Sequence, residues 1–298
     1  MADGAVNTAG AKVWLDMDQA ALDDAYDQAI WAPNQKAVHA RRNAASEEAF
    51  ARLKPRRLTY GDKPIEGLDY YACGKPGAGI AIFVHGGAWR SGVARNFAHL
   101  ADTFVGFGLN CAVLDFNNID EVDGNLLTMA SQVRHGVAWI ARNAGMLGAN
   151  GERLFLAGHS SGAHLAGCAV VTDWAKDFGL PANVIKGAAL LSGMYDMTPV
   201  ALSKRSEYVR FTPETIERLS AIGRLENVHC PILLGYGKLE SPEFQRQTSA
   251  FAQALVAAGK PHELIVADGT NHFEMLEALH NPLGLFGRAA QRLMTVQS

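Results

Sequence analysis

The chain has 298 residues, 48% of them hydrophobic, enough to bury the core of one large α/β domain. A formal net charge of −3 removes the electrostatic reason to expect nucleic acid or an anionic membrane as partner, and small neutral substrates fit better. No stretch approaches the roughly 18 apolar residues of a membrane span, and Met1-Ala2-Asp3-Gly4 lacks the basic and apolar regions of a signal peptide, so a cytoplasmic location is expected.

Residues 17–53 read as helical, with Tyr26, Ile30 and Trp31 as apolar anchors and Pro33 as an interruption. This N-terminal helical arm, residues 1–53, is a candidate lid; packing against the outside of a sheet is the alternative. Over residues 54–298 strands and helices alternate. Strands are expected at 57–60 and 68–73, the second closed by the turn Gly74-Lys75-Pro76-Gly77. A strand at 79–84, a helix at 97–106, a strand at 109–116 and a long helix at 127–144 follow. Next come a strand at 153–157, a helix at 163–169 and a strand at 186–191. The pattern then breaks into a more polar cap insertion at 194–228 containing Pro199 and Pro213. It resumes with a strand at 231–236, a helix at 242–258, a strand at 262–266 and a last helix to the C-terminus. Such alternation predicts an α/β fold with a mostly parallel central sheet and helices on both faces.

Two glycine-rich stretches each follow a strand. Gly158-His159-Ser160-Ser161-Gly162 has the form of a nucleophile elbow, a sharp strand-to-helix turn that exposes a serine hydroxyl and needs glycine on either side for close approach. His85-Gly86-Gly87-Ala88-Trp89 offers unobstructed backbone N–H groups of the kind that stabilise the oxyanion of a tetrahedral intermediate. The hole would be built from Gly86, Gly87 or Ala88 together with Ser161. A tight turn without chemistry is the alternative for either stretch alone. Their joint occurrence in this order points to a serine hydrolase with an α/β-hydrolase fold.

A serine hydroxyl needs a histidine to take its proton, and the histidine needs a carboxylate to fix its tautomer. In this fold the chain order is serine, acid, histidine. Of the histidines beyond the elbow, His229 precedes a strand, His262 begins one, and His280 is expected well inside the final helix. His272 alone lies in a polar loop, Asp268-Gly269-Thr270-Asn271-His272, at the C-terminal end of the last strand, where ligands meet a parallel sheet. For the acid, Glu240 follows the strand at 231–236 and precedes Pro242, which opens the next helix. Glu243, in a first helical turn where it would favour the helix dipole, and Asp268 are the rivals.

Cys73, Cys111, Cys168 and Cys230 are scattered, with no C-x-x-C pair, and neither a disulfide framework nor a metal site is expected. His159 and His164 are five apart, off the spacing of zinc-binding helical pairs. No cofactor is expected. Trp89 is read as a core residue, a substrate-stacking wall being the alternative.

The segments His85-Gly86-Gly87-x-Trp89, Gly158-His159-Ser160-x-Gly162-Ala163-His164-Leu165, Ser241-Pro242-Glu243-Phe244-x-Arg246-Gln247 and His272-Phe273-Glu274 resemble the kynurenine formamidase (arylformamidase) branch of the α/β-hydrolases, near the hormone-sensitive-lipase-like esterases. Residues 22–31 and Tyr195-Asp196 are also similar to that branch. The resemblance covers most of the chain from about Leu22. It implies Ser160 as nucleophile, His272 as base and Glu240 as acid, where the family usually has aspartate. Ala88 stands where formamidases usually carry tyrosine, which implies a wider or differently shaped acyl site.

The leading expectation is an enzyme that cleaves small, aromatic carboxylic esters through an acyl-enzyme. The alternatives are an amidase acting on N-formyl or N-acyl anilides such as N-formyl-kynurenine and, from another class, a noncatalytic hydrolase-fold binding protein, which would typically have lost a triad member. A homodimer is left open.

Overall fold

The computed structural model describes residues 10–295; the part of the expected arm before Gly10, the N-terminal tetrapeptide included, lies outside the described residues. In chain order the arm supplies α1 (Gln19–Ala25) and α2 (Gln35–Leu53), separated near Pro33. Then come β1 (Arg56–Thr59), β2 (Gly67–Tyr71), β3 (Ile80–Val84), α3 (Ala98–Gly106), β4 (Asn110–Leu114), α4 (Leu126–Asn143), β5 (Leu154–His159) and α5 (Ser161–Val170). After α6 (Trp174–Phe178) and β6 (Ile185–Leu191), the cap carries α7 (Met197–Leu202) and α8 (Pro213–Leu219). The chain ends with β7 (Ile232–Gly237), α9 (Pro242–Ala257), β8 (His262–Ala267), α10 (Met275–His280) and α11 (Leu285–Thr295).

The strands form one sheet in the order β1-β2-β4-β3-β5-β6-β7-β8, parallel from β4 to β8, with the β1–β2 hairpin antiparallel at one edge. Both faces are covered because strand side chains alternate with period 2. Ile80, Ile82 and Val84 of β3 and Leu154 and Leu156 of β5 join the cluster that also holds Val133 of α4, Leu165 of α5 and Phe251 of α9. Ala81, Phe83, Phe155 and Ala157 join the opposite one, with Ala49 of α2, Leu100 of α3 and Phe286 of α11. Phe155 is 1% exposed, and truncating a side chain of that kind to alanine costs about 3–5 kcal/mol.

Two expectations need correction. The last helix is two helices, because Pro282 can neither donate to nor continue α10. His280 therefore ends α10 rather than sitting inside a longer helix, and its Nδ1 pairs with Thr103 Oγ1 at 2.8 Å. Helix α6 was not anticipated: Asp173 caps it by accepting from the Lys176 amide, and Gly179 closes it in the left-handed region. Among the described residues no helix is long and apolar enough to cross a membrane.

Candidate active site

Strand β5 ends at His159 and α5 begins at Ser161, so Ser160 alone carries the reversal, at φ 58° and ψ −129°. This is a strained conformation for a residue with a side chain. The surrounding hydrogen bonds impose it: Ser160 N–H donates to the Leu191 carbonyl at 2.9 Å, and its own carbonyl accepts from His164 N–H at 3.1 Å. A Cβ on Gly162 would run into the Val84 carbonyl, so α5 can start this close to β3 only with glycine there.

His272 lies in the turn after β8 and Glu240 in the turn after β7. The Ser160 Oγ donates to His272 Nε2 at 2.8 Å, and His272 Nδ1 donates to Glu240 Oε2 at 2.7 Å. With Nδ1–H turned to the carboxylate, Nε2 is the nitrogen left to accept a proton. The other carboxylate oxygen accepts from Ser192 Oγ and from Gly237 N–H, each at 2.7 Å. Glu240 and His272 are 1% and 4% exposed, so bulk water does not compete for these bonds. The three residues singled out by sequence are thus brought together. The rivals are elsewhere: Asp268 is exposed and pairs with Lys238, and Glu243 is buried against Tyr26, Trp14 and Arg246. Ser192 was not anticipated. Its signal is its place directly after β6, at φ 54°, on the strand end that faces the site.

Gly87, Ala88 and Trp89 all have positive φ, 132°, 55° and 63°, which coils the segment into a tight loop. Trp89 N–H is committed to Ser161 Oγ at 3.2 Å. The N–H groups of Gly86, Gly87, Ala88 and Ser161 donate to no acceptor among the described residues, and the Gly86 backbone packs directly on Ser160. His85 anchors the loop, stacked between Phe97 and Phe116 at 5.3 and 4.4 Å, and burial pushes its pKa down. Trp89 is 2% exposed and packs edge-on against His164, so it is core, as expected.

His159 also borders the site. Its Nε2 donates to the His272 carbonyl at 2.8 Å, and its ring lies 4.6 Å from the His272 ring. Burial first, then the neighbouring His272, holds its pKa well below the ordinary imidazole value. It stays neutral and adds no second positive charge beside His272.

Ser160 and His272 open into a cavity of about 640 Å³. Its walls come from the loop 86–92, from Tyr26, His39 and Arg42 of the N-terminal segment, and from Lys204 and Tyr208 of the segment after β6. Among the described residues no group of His, Cys, Asp and Glu is arranged to hold a metal ion.

Comparison with known proteins agrees with this architecture. The BD-FAE family model matches residues 69–189, from β2 to β6. Kynurenine formamidase of Danio rerio is 29% identical over 281 residues, covering 89% of this chain and 93% of the relative. Isoprenylcysteine alpha-carbonyl methylesterase of Arabidopsis thaliana is 25% identical, covering 78% of this chain and 59% of the relative. The crystal structure of esterase LipW from Mycobacterium marinum superposes with a TM-score of 0.67 at 17% identity, over 90% of this chain and 89% of that one. Sheet order and relatives converge on an α/β-hydrolase fold, and over most of its length the chain is similar to kynurenine formamidases and esterases.

Proposed function

We propose that this enzyme is a serine hydrolase that cleaves small, aromatic carboxylic esters through an acyl-enzyme, with Ser160 as nucleophile, His272 as general base and Glu240 as its carboxylate partner. The observation that carries the reading is His272 bridging Ser160 Oγ at 2.8 Å and Glu240 Oε2 at 2.7 Å. As Oγ attacks the ester carbonyl, its proton passes to His272 Nε2, and the Glu240 carboxylate stabilises the imidazolium. Negative charge developing on the carbonyl oxygen is met by the free N–H groups of Ser161 and of Gly86, Gly87 or Ala88. When the tetrahedral intermediate collapses, the carbon–oxygen bond to the alcohol breaks and His272 returns the proton to the leaving oxygen. Water, deprotonated by the same imidazole, then releases the acid and restores Ser160. The reaction needs no metal or redox group, and its partner is a small molecule in the cavity.

Aryl formamide hydrolysis is the second reading, favoured by the similarity to kynurenine formamidase over nearly the whole chain. The triad chemistry is the same, except that His272 protonates an aniline nitrogen. Ala88, small and beside the proposed oxyanion donors, leaves room for an acyl group larger than formyl and favours the ester reading. We assign the arm and the 194–228 cap the role of enclosing substrate, the arm as lid. Parallel hydrolysis of a p-nitrophenyl acyl series and of N-formyl-kynurenine, with Ser160→Ala as control, tests the choice. Turnover of the esters that disappears in the variant supports the first reading, and turnover of the formamide alone replaces it with the second.

A further inference from the structure

The cavity is more cationic than the chain that surrounds it. Four basic side chains line it, Arg42, Arg90, Lys204 and Arg205, against two acidic ones, Asp27 and Glu207. Lys204 is matched by Asp27 at 2.6 Å, and Arg90 by Asp120 at 3.3 Å. Arg205 is buried, bonded to the Tyr26 carbonyl at 3.0 Å and the Tyr208 hydroxyl at 2.8 Å, and faces the edge of the core over Trp89. Arg42 differs from all three. Among the described residues its guanidinium makes no hydrogen bond and no ion pair, and its Nε is enclosed without an acceptor. Burial lowers its pKa, with no carboxylate nearby to oppose the shift.

Arg42 is half-buried: its Nε is enclosed while its Nη groups stay open, and a partly desolvated guanidinium that uses none of its five donors on protein is ready for an anionic partner. The Phe97 ring beneath it, 5.3 Å from the guanidinium carbon, attracts the cation but leaves all five N–H donors unused. Position says where the missing partner comes from. Phe97 stacks in turn on His85, which opens the oxyanion loop, and the Arg42 charge reaches His159, next to Ser160. Arg42 thus looks into the same cavity as the reacting hydroxyl, from the arm side.

We infer that the substrate carries a carboxylate and that Arg42 holds it, by the two-pronged contact a guanidinium makes with a carboxylate. The inference rests on the serine hydrolase reading and narrows it to anionic esters or amides. It also revises the expectation of neutral substrates drawn from the net charge of −3. Whole-chain charge does not set the potential inside one cavity.

The test uses two pairs of substrates and one pair of inert ligands. 4-Acetoxybenzoate against 4-acetoxybenzamide places the charge on the alcohol side, and mono-p-nitrophenyl succinate against p-nitrophenyl succinamate places it on the acyl side. In one pair the carboxylate member should have a kcat/KM at least tenfold higher, chiefly through KM, and the ratio should shrink with added salt. Arg42→Gln should bring the ratio near one, and Arg42→Lys should keep part of it. Independently of turnover, Ser160→Ala titrated calorimetrically should bind 3-phenylpropionate at least tenfold tighter than 3-phenylpropionamide, and the Ser160→Ala/Arg42→Gln double variant should not. Equal ratios in wild type and Arg42→Gln for both substrate pairs, with no charge preference in binding, overturn the inference while leaving the hydrolase reading intact. Charge-selective binding by a protein that hydrolyses none of the four compounds does the reverse.

Discussion

The Tyr26 hydroxyl donates to Glu243 Oε2 at 2.9 Å, joining the end of α1 to the first turn of α9 across 217 residues of sequence. Both groups are buried, and burial followed by the Glu243 charge raises the Tyr26 pKa well above its ordinary value, so the phenol remains a donor. Trp14 Nε1 and Arg246 complete the Glu243 carboxylate. One turn away Gln28 brackets Ser241, accepting from its amide at 3.3 Å and donating to its hydroxyl at 2.7 Å. Ser241 is the residue after Glu240, so the arm braces the loop that carries Glu240.

Glu243→Ala is therefore expected to cost more than the loss of a helix-dipole interaction, which is worth about 0.3–1 kcal/mol. It strands Arg246 and the Tyr26 hydroxyl together, and about 3 kcal/mol is expected. Tyr26→Phe leaves the carboxylate its arginine and should cost about 1 kcal/mol. Urea unfolding of both variants measures the difference. A loss below about 1 kcal/mol for Glu243→Ala would reduce its role to the dipole.

Replacing Ser160 separates chemistry from strain. Ser160→Ala should abolish acyl transfer, and a fluorophosphonate should label wild type at this serine and no other. Ser160→Gly should be equally inactive yet more stable, by about 1 kcal/mol, because glycine occupies φ 58° without the penalty serine carries. A Ser160→Gly protein that melts below wild type would contradict the strain assignment.

The acid loop predicts a graded series. Glu240→Gln can keep the acceptor that Ser192 and Gly237 use, but turns an amide toward His272 Nδ1. A loss of about 10²–10⁴ in kcat is expected, with KM little changed. Glu240→Asp, one methylene shorter, should fall between wild type and Glu240→Gln. Ser192→Ala removes one of the three bonds to the carboxylate and should cost about tenfold in kcat. If Glu243→Gln is crippled and Glu240→Gln is not, the acid has been misassigned.

Acid should destabilise the fold through buried histidines. Burial pushes the His164 pKa down to about 4 and the His99 pKa to about 3, so both are neutral in the native state. Unfolded, each takes up a proton near pH 6.5, at the ordinary histidine value. Their contribution is fully present above that pH and is lost as pH falls toward the folded values. Each should account for about 2 kcal/mol of lost stability between pH 7.5 and pH 5. Urea midpoints of wild type and His99→Gln over that range give the check: the variant should show a shallower decline, and parallel curves would assign the loss to other groups.

Periodicity and turn chemistry located the eight strands of the described residues, because a strand writes its pattern in four to seven consecutive residues. Local chemistry also singled out Ser160, Glu240 and His272, since each is held in a turn directly after a strand. What escaped was short or nonlocal. Helix α6, five residues long, is too brief for a helical period to register. Glu243 read as a helix-terminus acid because its partners Trp14 and Tyr26 lie more than 200 residues away. Arg42 is indistinguishable in sequence from its neighbour Arg41, which pairs on the surface with Glu277. Only the packing of α2 beside Phe97 sets the two apart.

The seating of the arm on the Glu240–Gln247 segment also orders events in time. Tyr26 and Gln28 leave the ribosome early, but the side chains that receive them, Ser241, Glu243 and Gln247, follow some two hundred residues later. Contacts at such separation form late, because loop-closure entropy must be met before they contribute. The sheet can assemble strand by strand, with α2 already seated on α3 through Ser46, while the Tyr26–Gln28 stretch waits undocked. A nascent chain ending before residue 240 would lack both Glu240 and His272, so under the proposed mechanism it could not act on substrate during its own synthesis.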